Sequence, residues 1–296
     1  MSTMTKTTFS TRSDHDEAHV RLYTQNLFGV LFAKDKKARL TDFVSFIDDT
    51  PHDTFLPDFV SVNEAFFRKM QTRLQQSKHH KHWAFTTESG FKFGDGGLGL
   101  GSHYPIIDTE FRAFPEAANI DALINKGVMR LTVRHPDLGE MDFYVTHTQA
   151  DYKSIGQYAD VRRAGSALIA DMIDERDHKL GKRTVVIAGD FNCAEDEFSL
   201  RLLTERMGFR DVMREMHPSE NLNTWRADNP YVKDYETDQR LDYVLLRPGD
   251  GWEWDEEQST GQIVRPCQKK DDLCLPHAQL SDHDGVYVDL ALKRRR

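Results

Sequence analysis

Cysteine is scarce in this chain, with three (Cys193, Cys267 and Cys274) among 296 residues. Three cannot build a disulfide framework, and their spacing fits no zinc site. Cys267 and Cys274 lie near enough in sequence to bridge a small loop in an oxidising compartment, if their geometry allows. Positive charge is also short: 39 Lys and Arg stand against 48 Asp and Glu, a formal −9. That balance excludes a general nucleic-acid coat, though a locally basic cleft remains open. No apolar run approaches the roughly 20 residues of a membrane helix. The first ten residues, MSTMTKTTFS, lack the apolar stretch of a secretory signal. The expected setting is the cytoplasm, with membrane contact peripheral at most. What is present is core material, 39% hydrophobic and 10% aromatic, too apolar for a disordered chain.

Without repeats, linkers or low-complexity tracts, the text reads as one domain over residues 20–292. Residues 1–19 form a polar N-terminal tail and 293–296 a basic C-terminal one. VRLYTQNLF is strand-like, and Leu40, Phe43, Val44 and Ile47 then recur at helical spacing. DFVSVNE is a short buried strand, followed by a helical stripe of Phe66, Phe67, Met70 and Leu74. FKFGDGGLGLGSHYPI is too rich in glycine for a regular element. MRLTVRH and MDFYVTH flank a Pro-Asp-Leu-Gly turn, a hairpin signal. A helix is expected near Gln157 to Asp177, with Val161, Leu168, Met172 and Ile173 inward. RTVVIAGDFN is a buried strand, after which Asp196 is placed to cap a helix that ends at Gly208. RLDYVLL and GVYVDLAL are the last two strands. Strands alternating with helices, hairpins among them, indicate an α/β domain with helices covering mixed sheets.

Polar clusters stand at successive strand ends: Asn26, Glu64, His147 with Gln149, Asp190 with Asn192, and Asp242 with Ser281-Asp282-His283. Alone, each has an ordinary reading as an Asx turn, a helix N-terminal charge or a satisfied histidine. Together, at the places where sheets hand the chain to exposed loops, they suggest a catalytic set. The residue types suit phosphoester hydrolysis. A hard cation such as Mg²⁺ keeps several waters and needs few protein oxygens, here Glu64 and Asn26. A histidine titrates near neutral pH and can deprotonate water, and His283 is the candidate, oriented by Asp242 or Asp282. Asp190 is placed to orient the water, with Asn192 and His147 donating to the charged transition state.

TQNLFG, VNEAF, GGLGLGSHYPI, NKGVMR, YVTHTQADY, VVIAGDFN, RLDYVLL and LSDHDGV resemble the ordered motifs of the endonuclease/exonuclease/phosphatase superfamily, over roughly residues 20–292. The resemblance implies a four-layer α/β sandwich of two mixed sheets flanked by helices, and Mg²⁺-dependent phosphoester cleavage, with Mn²⁺ or Ca²⁺ as alternative ions. It places Glu64 and Asn26 at the metal with Asp282 close by. Asp190 and Asn192 then position water and phosphate, His283 is the base with Asp242 as its orienter, and His147 contacts phosphate or leaving group. YVTHTQADY, KGVMRLTV and GDFNCAEDEFSLRLL are most similar to the neutral sphingomyelinase branch, implying a phospholipid substrate, with Gln149 and Lys126 at its binding site. Asn63 and His103 depart from the family, which usually has Gln at the first and Arg or Lys at the second.

Between the LDY strand and the SDH motif, where bacterial relatives carry an aromatic membrane loop, this chain has Trp252 and Trp254. Indoles suit a headgroup layer. Five acids from Asp250 to Glu257 surround them, so packing on the core is the competing reading. The alternative substrate class is DNA or RNA, for which Lys126, Arg130, Arg134, Arg162 and Arg163 would have to line a basic cleft.

Overall fold

The computed structural model describes residues 16–49, 56–87, 96–233, 236–270 and 273–296, without the side chains of 268–278. The chain runs β1 (Glu17–Asn26), α1 (Lys36–Asp49), β2 (Phe59–Asn63), α2 (Arg68–Leu74), β3 (His82–Phe85), β4 (Gly99–Ser102) and β5 (Ile106–Ala113). A 3-10 turn (Asn119–Leu123) leads to β6 (Gly127–His135), β7 (Gly139–His147), α3 (Ala159–Leu180) and β8 (Val185–Asp190). Then come α4 (Phe198–Arg201), a π turn (Leu202–Arg206), β9 (Arg210–Asp211), α5 (Val212–Met216) and β10 (Asp242–Arg247). β11 (Trp252–Val264), β12 (Cys267–Lys270), β13 (Leu273–Gln279) and β14 (Gly285–Arg294) complete it.

Two six-stranded sheets result, in orders β11-β14-β1-β2-β4-β3 and β5-β6-β7-β8-β10-β9. Each contains one parallel pair, β1 with β2 and β7 with β8, joined through α1 and α3. The sheets bury their inner faces against each other, α1 and α2 cover the first, and α3 and α4 cover the second. This is the four-layer α/β sandwich. Period-2 alternation fixes which side chains enter the middle. Ala18, Val20 and Leu22 of β1 do so, as do Met141, Phe143 and Val145 of β7, Val186 and Ala188 of β8, and Val244 and Leu246 of β10. Continuing those rows by two residues at a time reaches Asn26, His147, Asp190 and Asp242. The polar set therefore occupies the last inward positions of an otherwise apolar interior.

The structure corrects several expectations. Residues 17–19 belong to β1 rather than to a tail, because they pair with Lys293 to Ala291 of β14; residues 1–15 lie outside the described ones. Lys293 and Arg294 are likewise in β14, and Lys293 bonds Asp255 at 3.1 Å. The glycine-rich segment contains a true strand, β4. Gly99 and Gly101 let the rings of Phe85 and Trp83 cover the backbone, where a Cβ would come within 2.5 Å of either. α2 begins only at Arg68, so Phe66 and Phe67 precede it. In α3, Ile169 and Arg162 take the inward places expected of Leu168 and Val161. Arg162 tolerates burial because Asp151 and Glu197 both bond it. Glu197, not Asp196, is the α4 N-cap. Cys267 is disulfide-bonded and Cys193 is a free buried thiol; the side chain of Cys274 lies outside the described ones.

Trp252 and Trp254 share a face, but it is the packed one. Trp252 is buried in the inter-sheet core beneath Arg294. Trp254 donates to Ser259 at 2.8 Å and lies under Arg210. Trp252 pairs with Arg294 while Val264 pairs with Gly285, so the indoles sit at the end of the sheet remote from His283.

Gly189 precedes Asp190 with φ +139°, and a Cβ would meet the Thr146 carbonyl oxygen at 2.0 Å. Gly189→Ala is expected to cost about 3 kcal/mol, lowering Tm by roughly 6–12 °C. Gly208→Ala, at φ +73° in open space, should cost only about 1–2 kcal/mol. Thermal melts of the two variants check the contrast.

Candidate active site

Register brings the first three groups level. His147 of β7 lies beside Asp190 of β8, and Asp190 beside Asp242 of β10. His283 arrives from the turn before β14, with Nδ1 2.7 Å from Asp242 Oδ2. The Thr224 hydroxyl donates to that same oxygen at 2.7 Å. The other imidazole nitrogen, Nε2, is 3.7 Å from Asp190 Oδ2. Trp225 bridges to His283 and sets its indole edge-on to the imidazole, centroids 5.0 Å apart. The ring is thereby fixed on one side by a carboxylate and on another by an aromatic wall. Burial alone would depress the His283 imidazolium, but Asp242 and Asp190 outweigh it and raise its pKa well above 6.5.

Glu64 follows β2 in a left-handed conformation, φ +60°. Phe28 and Asn192 are also left-handed, at +48° and +47°. Three of the five non-glycine residues of positive φ among those described therefore gather here, as stored backbone strain often does at working sites. Glu64 Oε2 accepts from the Gly29 amide at 3.0 Å. The Asn26 side-chain NH₂ lies between two acids, 3.3 Å from Glu64 Oε1 and 3.1 Å from Asp190 Oδ2. Asn63, the departure noted in the sequence, joins the sheets: its NH₂ donates to the Thr146 carbonyl (2.8 Å) and its oxygen accepts from the Asp190 amide (3.1 Å). His103 stands clear of the site, beyond the far end of β4.

Lys126 closes the third side. Buried, it pairs with Asp121 at 3.0 Å and donates to the Thr148 carbonyl at 2.6 Å. It also stands 3.1 Å from His147 Nε2. Because an ammonium can only donate, Nε2 accepts, and the imidazole proton resides on Nδ1. Burial, Lys126 and His283 hold the His147 pKa well below 6.5, so the ring is neutral. The cation at this corner is thus Lys126, and His147 accepts from it. Gln149 is buried and donates to Asp121 Oδ2 (2.9 Å) while accepting from the Ala118 amide (2.8 Å). It ties two loops together instead of facing a ligand. Asn192 donates from its side chain to the Thr148 carbonyl (3.2 Å) and from its backbone to Asp190 Oδ1 (2.9 Å).

The carboxylates are crowded. Burial pushes Asp190 up to about 6 and Asp282 up to about 7, and raises Glu64 as well. Glu64 adds to the rise of Asp282, and Asp242 to that of Asp190. Such a donor set fits a hard divalent cation, whose charge would relieve the repulsion. Glu64 and Asp282 are one such pair, near enough that Glu64 raises the Asp282 pKa. Asn26 is less free, since its amide oxygen already accepts from the Phe28 N–H at 3.0 Å. Asp190, Asp242 and His283 also offer atoms within 4.8 Å of one another. There, a cation would displace the short His283–Asp242 bond.

The structure thus gathers Asn26, Glu64, Lys126, His147, Asp190, Asn192, Asp242, Asp282 and His283, and leaves Trp252 and Trp254 elsewhere. Sequence reading missed Asn63, Asp121, Thr224 and Trp225. The last two follow no strand pattern, and only the chain crossing from Trp225 to Gln239 and His283 reveals their place.

Fold and site together define a hydrolase of the phosphoester-cleaving sandwich class. The sequence matches the Endonuclease/Exonuclease/phosphatase family over residues 24–283, and the chain belongs to that family. A segment of 86 residues is 30% identical to human sphingomyelin phosphodiesterase 3, covering 26% of this chain and only 13% of that protein. Among solved structures, a beta toxin variant from Staphylococcus aureus with bound magnesium ions superimposes with a TM-score of 0.71 at 18% identity, over 92% of this chain and 99% of the toxin. Sphingomyelinase C from Streptomyces griseocarneus gives 0.70 at 18% identity, over 92% and 99%. TDP2 from C. elegans gives 0.67 at 16% identity, over 94% and 75%.

Lys126→Met should release His147 from its positive neighbour and raise its pKa. Histidine NMR titration is the check, and an unmoved His147 would mean that burial and His283 depress it without Lys126.

Proposed function

We propose that the protein is a divalent-cation-dependent phosphodiesterase that cleaves a phospholipid at its headgroup phosphate, as a sphingomyelinase does. One observation carries the chemistry: a histidine held by a buried carboxylate faces a second carboxylate at the mouth of the sandwich. Glu64 and Asp282 are the residues to hold Mg²⁺, or Mn²⁺ or Ca²⁺, which when bound would polarise a phosphoryl oxygen and steady the leaving oxygen. Asp190 orients the attacking water, and His283 takes its proton at Nε2. Asp242 keeps Nδ1 protonated and stabilises the imidazolium that forms, with Thr224 fixing the carboxylate. A base must begin neutral, so neutralising the charge of Asp282 and its neighbours is part of what readies His283. Lys126 and Asn192 offer positive charge and an amide to the phosphoryl oxygens.

The lipid reading is favoured over a nuclease by where the arginines went. Arg130 bonds Asp108 and Glu110, and Arg162 bonds Asp151 and Glu197. Arg163 pairs with Asp160 at the surface. Arg134 is paired in register with Glu140, at the end of β6 remote from the site. A phosphate backbone would find the buried guanidiniums of Arg130 and Arg162 already committed to carboxylates. The segment shared with sphingomyelin phosphodiesterase 3 supports the same choice.

His283→Ala and Asp190→Asn should each lower turnover by about 10²–10⁴, and near-wild-type rates would refute the assignment. Phosphocholine release from sphingomyelin vesicles, followed beside nicking of supercoiled DNA, is expected with Mg²⁺ and not with chelator. Nicking without lipid turnover would move the substrate to nucleic acid.

A further inference from the structure

Large hydrophobic side chains exposed to solvent are concentrated at one end of this molecule. Of the eleven among the described residues, eight (those from Val30 to Ile155, Ile107 of β5 excepted) lie on segments at the mouth of the site. These segments are the loop after β1, the residues before α2, the 3-10 turn before β6, and the loop after β7. Because β1 and β2 end together, and β6 begins where β7 ends, all four emerge from the same edge. Phe32 is 91% exposed, Leu31 64%, Ile120 61% and Ile155 66%. Contiguous exposure on this scale marks an interaction surface.

The first loop is also built to leave water. Lys36 donates to the carbonyls of Val30 (2.9 Å) and Leu31 (2.6 Å), and the Ala33 amide returns to Val30 at 3.1 Å. Its ammonium stands 4.7 Å from the Phe67 ring. The backbone groups that an apolar layer would otherwise leave unpaired are satisfied within the loop. Lys34, Lys37 and Lys153 are exposed beside these side chains, as are Asp35 and Glu116, which leaves a net excess of one positive charge among them in a chain of charge −9. Apolar side chains rimmed by cations match the interface of a bilayer bearing anionic lipid.

We propose that this rim, led by Leu31 and Phe32 and joined by Ile155, docks the enzyme on a phospholipid bilayer and sets the mouth of the site against the headgroups. The assignment rests on the lipid reading above and replaces the tryptophan pair as the contact. Its source is a bilayer, and binding of another protein to the same face is an outcome that would count against it.

The test compares wild type, the double variant Leu31→Ser with Phe32→Ser, and Leu180→Ser at the opposite end. Each is floated with phosphatidylcholine–sphingomyelin vesicles, with and without phosphatidylserine, while hydrolysis of bis(p-nitrophenyl) phosphate in solution reports the intact site. The double variant should lose about tenfold or more in vesicle partition, keep its soluble-substrate rate, and Leu180→Ser should match wild type. Phosphatidylserine should strengthen wild-type binding. Equal partition of all three proteins, or no partition by any, overturns the docking assignment. Phosphocholine release with rim-independent partition would end the docking proposal and leave the lipid reading. Rim-dependent partition without lipid turnover would do the reverse.

Discussion

Four carboxylates, on Glu64, Asp190, Asp242 and Asp282, terminate an apolar interior, and their mutual repulsion is the constraint around which the site is arranged. Like charges removed from water are costly unless donors and counter-charges surround them. Here the donors are mostly neutral: the Asn26 NH₂ between Glu64 and Asp190, the Gly29 amide on Glu64, and the Thr224 hydroxyl on Asp242. His283 supplies one compensating proton and Lys126 one ammonium. Asn63 prevents the crowd from splaying, because it bonds the Asp190 backbone from the opposite sheet.

Charge elsewhere is handled differently. The buried guanidiniums of Arg130, Arg162 and Arg240 each meet two or more carboxylates, so they act as internal fasteners instead of projecting a field. Arg39 performs a related task with carbonyls, holding Leu27, Phe28 and Leu280 and thus the loops on both sides of the site. Lys34, Lys37 and Lys153, by contrast, stand exposed at the rim.

Much of this was legible beforehand because two sequence signals coincide. Alternation in MDFYVTH and the continuous apolar run of VVIAGD marked two neighbouring strands of the sandwich, and the abrupt change to polar residues marked where the interior ends. His283 and Asp242 were recognisable through motif and chemistry together. Glycine misled the reading at β4, where the missing side chains are replaced by rings from the next strand. The tryptophans misled it because local acidity and aromaticity describe a loop and a strand edge equally well. Thr224 and Trp225 were hidden for another reason: their partners are 18 and 58 residues away, outside any local pattern.

β14 lies between β11 and β1, and residues 17–24 of β1 pair with residues 286–293 of β14. The earliest strand of the fold therefore waits for the last before one edge is satisfied. During synthesis at about 5–20 residues per second, that edge stays open for tens of seconds, and His283 reaches Asp242 only when the sheet closes. A ribosome-bound fragment lacking β14 would carry His283 in its sequence without the strand that seats it against Asp242. Such long-range closure slows folding, and it ties the onset of hydrolytic activity to the completion of the sandwich.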